Sequence, residues 1–252
     1  MSPPFATGQP SGLDRAFDTP DAKRRHNQRL FATIAARYDL ITRLLSFGMD
    51  QRWKRRMIAL AAPQAGEVVL DLACGTGDLA FGAASRHARV IGLDLTPRML
   101  ELARARAPRE SAPAGAVTWI AGDMGALPVA DRSVDVITTG YGLRNVPDLG
   151  AALGEMRRVL RPGGRLVALD FNRPDARAVR AIYLAYLDVV GGALGWLLHR
   201  DPDAYRYIPA SSRRYPGAAR VADMMRTAGF AEARHVPVLG GLMAIHVARV
   251  SG

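Results

Sequence analysis

One segment of the sequence predicts a strand, a tight turn and a helix in direct succession: Val68-Val69-Leu70-Asp71-Leu72-Ala73-Cys74-Gly75-Thr76-Gly77-Asp78. Its first part is a short apolar run of the kind that forms a buried strand. Gly75 and Gly77 follow, and glycines there let the backbone come close to a ligand, which a Cβ atom would prevent. A glycine turn between a strand and a helix is a common site for an adenosine-containing cofactor, although the glycines alone do not say which one.

The chain that follows Glu67 alternates between strand and helix patterns. The predicted strands are 68–72, 90–93, 117–120, 134–138 and 166–170, and the predicted helices between them are 79–85, 97–107 and 149–160. Strands that alternate with helices form parallel βαβ units. We therefore expect an α/β domain with a doubly wound sheet.

The C-terminal end departs from this alternation. A helix over 218–228 ends at Gly229, and strands over 233–238 and 243–250 are separated by only four residues. Such a short connection predicts an antiparallel hairpin. A seven-stranded, mostly parallel sheet with an antiparallel last strand is the arrangement of the Rossmann-like methyltransferases, and dinucleotide dehydrogenases do not normally end this way.

Three regions lie outside the sheet pattern. Residues 1–20 are rich in Pro, Gly, Ser and Thr and are expected to form a disordered tail, not a signal peptide. Residues 21–62 carry apolar side chains at helical spacing, interrupted at Phe47-Gly48, and predict a helical N-terminal cover. Residues 175–216 are an insertion with a helical apolar pattern and then an aromatic, proline-bounded loop. Residues 21–252 are thus expected to form a single domain.

Composition narrows the class of protein only partly. The chain has 252 residues, a single cysteine and a formal charge of +11, with Lys23 and Lys54 as the two lysines among many arginines. A single cysteine excludes an intramolecular disulfide and agrees with a reducing cytoplasm. The arginine excess resembles a compositional bias, so the charge leaves open a solvated face, a membrane-surface patch or, least favoured, nucleic acid. The longest apolar stretch, 181–198, is interrupted by Asp188 and three glycines, and we interpret it as an amphipathic or buried helix.

Acidic side chains stand at the ends of three successive predicted strands. Asp71 is within the first, and its carboxylate would repel a pyrophosphate but attract the ammonium and sulfonium groups of S-adenosylmethionine; a carboxylate that stabilises the turn is the alternative. Asp94 lies where an acid can accept the ribose hydroxyls, and the helix-capping alternative fits Thr96 better. Asp123 can accept the adenine amino group while Met124 packs on the ring. Together these acids predict one cofactor groove at the carboxyl edge of the sheet.

Joined to their neighbours, these motifs resemble the class I methyltransferases and, within them, the ubiquinone/menaquinone C-methyltransferase family. The resemblance runs from about Lys23 to the C-terminus and is carried by four segments: Tyr38 to Arg55, Asp71 to Asp78, Gly142-Leu143-Arg144-Asn145-Val146, and Tyr205 to Ser211. It implies S-adenosylmethionine as cofactor. The expected cofactor contacts are Asp71, Gly75, Thr76, Gly77, Asp94, Leu95, Asp123, Met124 and Gly140. Many relatives have serine where this chain has Gly140, so that contact is doubtful or is made by the backbone.

The family's products are methylated lipid quinols, such as menaquinol or the benzoquinol of the ubiquinone route. The reacting ring carbon becomes nucleophilic as a neighbouring phenolate develops, so a cation or hydrogen-bond donor should stabilise that oxygen. Arg144 and Asn145 are the candidates, with Tyr38 closing the site over the ring. The alternatives are a surface salt bridge for Arg144 and helix packing for Tyr38.

The resemblance leaves several assignments open. Methylation of another small molecule or lipid, such as phospholipid N-methylation, is the alternative function, and RNA is less favoured. No metal site is expected, because the histidines lack ligand-like spacing; His199 is interpreted as a proton acceptor or a helix-terminal residue. The apolar insertion predicts a prenyl channel, a homodimer contact or simple burial. We expect a cytoplasmic protein that contacts the inner face of the plasma membrane peripherally.

Overall fold

The computed structural model describes residues 15–174, 177–199 and 203–252. The strands are β1 (Val68–Leu72), β2 (Arg89–Asp94), β3 (Val117–Ala121), β4 (Val134–Gly140), β5 (Leu160–Phe171), β6 (Glu232–Val238) and β7 (Met243–Arg249). The α-helices are α1 (Pro20–Ile34), α2 (Tyr38–Leu45), α3 (Asp50–Ala61), α4 (Asp78–Ala84), α5 (Pro97–Arg106), α6 (Leu149–Val159), α7 (Arg177–His199), α8 (Asp203–Arg214) and α9 (Ala218–Thr227). Short 3₁₀ turns include Ala35–Arg37 and Leu143–Asn145.

The seven strands form a single sheet in the order β3-β2-β1-β4-β5-β7-β6. Strands β1 to β5 pair in parallel, and β7 pairs antiparallel with both β5 and β6. The predicted fold and its C-terminal hairpin are confirmed. The strand order reverses between β1 and β4, and ligands of doubly wound sheets bind in the crevice at such a switch point.

Strand β1 shows how the sheet is covered on both faces. Successive side chains of a strand point to opposite faces. Leu70 and Leu72 pack into one apolar cluster, while Val69 packs into the other, which includes residues of α2, α3 and α4. Asp71 alternates with Leu70 and Leu72 and therefore shares the face of Val69, on the side of the N-terminal cover.

The N-terminal cover has the predicted helices and the predicted break. The Thr19 side chain caps α1 by accepting from Ala22 N at 3.1 Å, and α2 and α3 follow. Phe47 and Gly48, both at positive φ, form the turn between α2 and α3. Two described residues of the predicted tail are packed, since Ala16 is buried and the Phe17 ring stacks on Tyr207 at 5.7 Å. The boundary of the tail is corrected accordingly: an aromatic partner orders the residues just before α1, while 1–14 lie outside the described residues.

The insertion differs from its prediction in one part. The expected aromatic, proline-bounded loop is the helix α8, with Pro209 inside it. Tyr207, Ala210 and Ser211 are buried, and their spacing of three and four residues places them on one helix face. Burial of this face outweighs the hydrogen bond that Pro209 does not make. The side chain of His199 lies outside the described residues, so its predicted role has no structural counterpart here.

Helix α7 contains a long apolar stretch. Among the described residues, Ala178–Leu197 is long and apolar enough to cross a membrane by length and composition, and 22% of it is buried. One such helix also occurs in soluble proteins, so length and composition alone do not make it a membrane span.

Candidate functional site

A groove of about 700 Å³ lies at the carboxyl ends of β1 to β4. Six of the predicted cofactor residues line it: Gly75, Asp94, Leu95, Asp123, Met124 and Gly140. Its outer wall is formed by α1, through Arg24, Asn27 and Phe31. The sheet topology therefore brings together side chains from four strand ends that are up to 65 residues apart in the sequence.

A smaller recess of about 330 Å³ continues from this groove and contains Asp71. The Asp71 carboxylate is buried; its Oδ1 accepts from the Thr138 hydroxyl at 2.7 Å, and its Oδ2 has no hydrogen-bond partner among the described residues. Burial raises the pKa of Asp71 to about 7. A buried carboxylate oxygen without a partner is stabilised by a cation, so this recess suits the ammonium group of an amino-acid moiety.

Asp94 stabilises two turns of the groove. Its Oδ2 accepts from Gly75 N and its Oδ1 from Thr96 N, both at 2.8 Å. Thr96 is the N-cap residue of α5 but makes no side-chain capping bond. Each carboxylate oxygen has two lone pairs, so Asp94 can still accept one hydroxyl on each oxygen. This matches the two hydroxyls of a ribose.

Asp123 is already paired with the cover helix. Its Oδ1 accepts from Gly125 N at 2.8 Å and its Oδ2 accepts from Arg24 Nε at 2.5 Å. An adenine amino group would therefore share this carboxylate with Arg24. The sequence analysis did not identify Arg24, because nothing in a helical pattern shows which loop the helix will cover.

Thr76 and Gly77 lie deeper than the groove itself. The Thr76 hydroxyl donates to Asp39 at 2.7 Å and accepts from Arg106 at 3.0 Å, and Thr76 lines the small recess. Gly77 lines none of these volumes; at φ +93 a Cβ atom there would lie 2.7 Å from the Trp119 ring. The structure thus explains Gly77 by packing beneath the turn.

Lys54 is a further site residue that the sequence analysis did not single out. Its ammonium is largely buried in the recess, 2.7 Å from Asp78 and 3.3 Å from Asp50. Burial alone would lower the pKa of Lys54, but Asp78 and Tyr38 outweigh it and raise that pKa. Lys54 and Asp71 both line the recess, so it contains groups of opposite charge, which suits a zwitterionic amino-acid group. Its signal in the sequence is that it is one of only two lysines in an arginine-rich chain.

A second pocket, of about 600 Å³, adjoins the groove on the side of α2, α7 and α8. It shares Phe31, Tyr38 and Tyr141 with the groove. The other lining side chains are mostly aliphatic or aromatic, and Arg144 is the one charged residue among them. The pocket can therefore hold an aromatic ring with an apolar substituent beside a single cation.

Arg144 is buried and firmly held. Its backbone N donates to Asp170 Oδ2 at 3.0 Å, its Nε lies 3.3 Å from Asp170 Oδ1, and its Nη1 donates to Ser211 at 2.9 Å. The guanidinium also lies 4.9 Å from the centre of the Phe171 ring. Its Nη2 has no hydrogen bond to a described residue, which leaves donors for a ligand oxygen. The alternative of a surface salt bridge is wrong, because 7% of Arg144 is exposed and its partner Asp170 is fully buried.

Asn145 lines the groove but not this pocket, whereas Tyr38 lines both. The Asn145 amide donates to the Tyr141 backbone O at 2.8 Å, and its Oδ1 lies 3.3 Å from Arg144 Nη1. Asn145 thereby holds Tyr141, whose φ of 62° is unusual for an aromatic residue. Tyr38 lines the groove, the pocket and the recess, as expected for a residue at their junction.

The residues present fit a cationic methyl donor. The oxygen of Asp71 that has no partner suits the ammonium of an amino-acid group. The carboxylate of Asp94 suits the hydroxyls of a ribose. Gly75, which has a left-handed conformation and lines the groove, lets the backbone come close to the ligand. No group of three or more His, Cys, Asp or Glu side chains that could hold a metal occurs among the described residues. Fold and site together define a class I S-adenosylmethionine-dependent methyltransferase.

Comparison with known proteins identifies the family. The chain belongs to the ubiE/COQ5 methyltransferase family, whose sequence model matches residues 19–249. It is 38% identical over 243 residues to the ubiquinone/menaquinone biosynthesis C-methyltransferase UbiE of Rubrivivax gelatinosus, covering 95% of this chain and 94% of that protein. It is 44% identical over 220 residues to the demethylmenaquinone methyltransferase of Thermus thermophilus, covering 86% and 98%.

Solved structures agree on the fold. An S-adenosylmethionine-dependent methyltransferase from Thermotoga maritima superposes with a TM-score of 0.62 at 18% identity, covering 88% of this chain and 98% of that one. Another from Aquifex aeolicus gives 0.56 at 16% identity, covering 78% and 89%. The predicted family, cofactor and C-methyltransferase activity are confirmed.

Proposed function

We propose that this enzyme transfers the methyl group of S-adenosylmethionine to a ring carbon of a prenylated quinol, as in the step from demethylmenaquinol to menaquinol or the benzoquinol step of ubiquinone synthesis. The names of the relatives support this substrate class. The observation that carries the proposal is the pocket beside the groove, with Arg144 as its one charged lining residue and with Phe31, Tyr38 and Tyr141 shared between both volumes.

The chain's own residues supply alignment and charge. When bound, S-adenosylmethionine provides a methyl group already activated on a sulfonium. The shared aromatic side chains place the quinol ring against that methyl group and exclude water. The Arg144 guanidinium stabilises the phenolate oxygen next to the reacting carbon. Transfer would join the methyl group to the ring carbon and leave the C–S electron pair on sulfur, and Arg144 would hold the water that accepts the displaced ring proton.

Replacement of Arg144 tests this function. We expect Arg144→Lys to bind S-adenosylmethionine with a Kd close to that of the wild type, because Arg144 lines the quinol pocket and not the groove. Its kcat for quinol methylation should fall by about a hundredfold or more, as for the loss of an oxyanion-stabilising donor. Calorimetry and transfer of labelled methyl to a reduced quinone measure the two quantities.

Arg220→Lys, an exposed arginine on α9, is the matched control and should keep full activity. Normal turnover of Arg144→Lys would remove the catalytic assignment. A substrate panel that includes phospholipids, small phenols and RNA tests the alternative methyltransferase functions, and preference for any of these over a prenylated quinol would contradict the proposal.

The exposed face of α7 supports a peripheral membrane contact. Ile182, Val189 and Trp196 are spaced by seven residues, so they lie on one side of the helix, and each is about 70% exposed. Phe47, also exposed, stacks on Tyr186 next to them. Such a patch on a basic protein suits an anionic bilayer. The proposed docking surface is formed by α7 and the α2–α3 turn, beside the quinol pocket. It supports the proposal that the enzyme contacts the cytoplasmic face of the membrane.

A further inference from the structure

The turn that carries Arg144 is capped by side chains of another helix. The backbone oxygens of three consecutive residues, Arg144, Asn145 and Val146, all accept hydrogen bonds from α1. Lys23 Nζ lies 3.1 Å from Arg144 O and 2.6 Å from Val146 O. Asn27 Nδ2 lies 2.7 Å from Asn145 O, and Asn27 is buried.

These contacts provide hydrogen-bond partners for carbonyl groups that have none within the turn. The carbonyl groups at the end of a helical turn have no partner within the turn. The 3₁₀ turn Leu143–Asn145 has its first residues anchored to Asp170 through Arg144 N, but its carbonyl end faces α1. Lys23 and Asn27 therefore supply partners that the turn itself lacks.

We infer that Lys23 and Asn27 are positioning residues for the reaction: by capping the 144–146 carbonyls they hold Arg144 where it meets the quinol. The cover helix thus belongs to the catalytic apparatus as well as to the wall of the groove. The inference rests on the role proposed for Arg144. If the inference holds, the geometry of the turn that follows β4 depends on α1, which lies more than 100 residues earlier in the sequence.

The choice of lysine at position 23 agrees with this role. All but two of the 34 basic residues of the chain are arginine, so a lysine is the exception. An ammonium is compact and can donate from one nitrogen to two carbonyls about 3 Å away, whereas a guanidinium distributes its donors over a planar fork. Two closely spaced backbone oxygens in a half-buried setting suit the ammonium.

The charge of Lys23 makes the cap sensitive to pH. Burial lowers the pKa of Lys23 to about 8; Arg144 and Arg214 lower it as well, while Asp170 acts in the opposite direction. The ring of Phe17 faces the ammonium on its other side, at 5.9 Å. As the pH rises through 8, the ammonium loses its proton and becomes a weaker donor to the carbonyls. We therefore expect kcat of the wild type to decline above pH 8.

Lys23→Met and Asn27→Leu test the inference in the full-length enzyme. Each removes the donor and keeps a side chain of similar size. We expect kcat at saturating S-adenosylmethionine to fall by about tenfold to a hundredfold in both variants, the scale of effect when a reacting group is displaced by an ångström. Lys23 does not line the groove, so the Kd of Lys23→Met for S-adenosylmethionine should stay within about threefold of wild type. Asn27 lines the groove, so the Kd is a control for Lys23→Met alone. The decline of kcat above pH 8 should be absent from Lys23→Met. Arg25→Met, an exposed change of charge on the same helix, should leave kcat and its pH profile unchanged.

Lys23→Arg provides the second variant, because it keeps the charge and should fold even where Lys23→Met does not. A reduced kcat with normal cofactor binding is expected, since a guanidinium does not reproduce the two hydrogen bonds that Lys23 Nζ donates to Arg144 O and Val146 O. Wild-type kcat in Lys23→Arg, or in both Lys23→Met and Asn27→Leu, would overturn the inference. If Arg144→Lys is inactive at the same time, the proposed function stands without the cap. If Arg144→Lys is fully active, the catalytic role of Arg144 fails and this inference fails with it, whereas the proposed function itself fails only if the substrate panel shows no preference for a prenylated quinol.

Discussion

At the scale of single residues, the site depends on charged groups that the fold buries. Arg144 and Asp170 form a buried ion pair, and such a pair is tolerated where hydrogen bonds accompany it, as those from Arg144 N to Asp170 and from Arg144 Nη1 to Ser211 do here. Asp71 has no cationic partner on its free oxygen, and burial raises its pKa to about 7. In the ligand-free protein this carboxylate is therefore a destabilising group, and a bound ammonium would relieve that penalty.

Asp71→Asn should separate stability from binding. The pKa of Asp71 in the folded protein lies above its unfolded value of 3.8, so the folded state binds the extra proton and stability falls as the pH rises from about 4 to 7. The substitution removes this penalty, and the free energy of unfolding should exceed that of wild type by about 4 kcal/mol at pH 8 and by little at pH 4. Urea unfolding at both pH values measures the difference.

The same substitution should weaken binding of S-adenosylmethionine by more than about tenfold, since a charge-assisted contact is lost. Asp135→Asn, a carboxylate paired with Arg161 away from the groove, is the control for binding. A gain in stability that does not change with pH would show that Asp71 is not the titrating group.

At the scale of elements, the unit from β1 through the glycine turn to α4 is the framework of the groove. Gly75 and Gly77 both have positive φ, but their surroundings differ: a Cβ atom on Gly75 would have Tyr38 at 3.9 Å, and one on Gly77 would overlap the rings of Trp119 and Phe81. The turn therefore combines a position open to the groove with a position closed by packing. The glycine turn therefore needs Gly75 for close approach of a ligand and Gly77 for packing against the aromatic rings.

Two glycine substitutions should shift stability in opposite directions. Gly77→Ala places a Cβ atom against the Trp119 ring at a left-handed residue, so we expect a loss of about 2 kcal/mol or more. Gly154→Ala lies in the exposed interior of α6 with nothing within 4 Å, and should gain about 0.5–1 kcal/mol. Thermal unfolding of the two variants beside wild type checks both signs. Equal effects would mean that helix propensity alone governs the turn.

At the scale of the whole molecule, function depends on two cavities that meet under one cover. The groove lies over the sheet switch point, the quinol pocket lies between α2, α7 and α8, and α1 contributes Phe31 to both. The apolar face of α7 lies outside this pocket, to which the same helix contributes Tyr183. A substrate with a long apolar tail could thus pass between a bilayer and the pocket without crossing water.

The double variant Val189→Glu with Trp196→Glu tests this arrangement. Wild-type protein should sediment with phosphatidylglycerol vesicles. The double variant should partition to the vesicles at least about tenfold less, because two apolar side chains that would insert into the bilayer are replaced by carboxylates, which the anionic surface repels. Ala219→Glu, exposed on α9, is the matched single-site control. The alternative is that this face forms a homodimer, which analytical ultracentrifugation detects. A wild-type dimer that is lost in the double variant, together with no vesicle binding by the wild type, would contradict the membrane proposal.

The sequence by itself determined the elements and the donor class. Periodicity placed all seven strands, and acids at strand ends predicted the groove, because parallel strands necessarily bring their carboxyl ends to one edge. The local sequence pattern did not predict α8, because Pro209 disfavours a helix there and burial of Tyr207 and Ser211 outweighs that preference only in the folded protein.

Only the tertiary structure decided which residues complete the site. Lys23, Arg24 and Lys54 act through contacts with loops 24 to 123 residues away, and sequence spacing carries no information about such distances. The same holds for Arg144, whose burial depended on whether Asp170 and Ser211 would enclose it. Periodicity reports the local chain, whereas burial and pairing of charge are properties of the assembled fold.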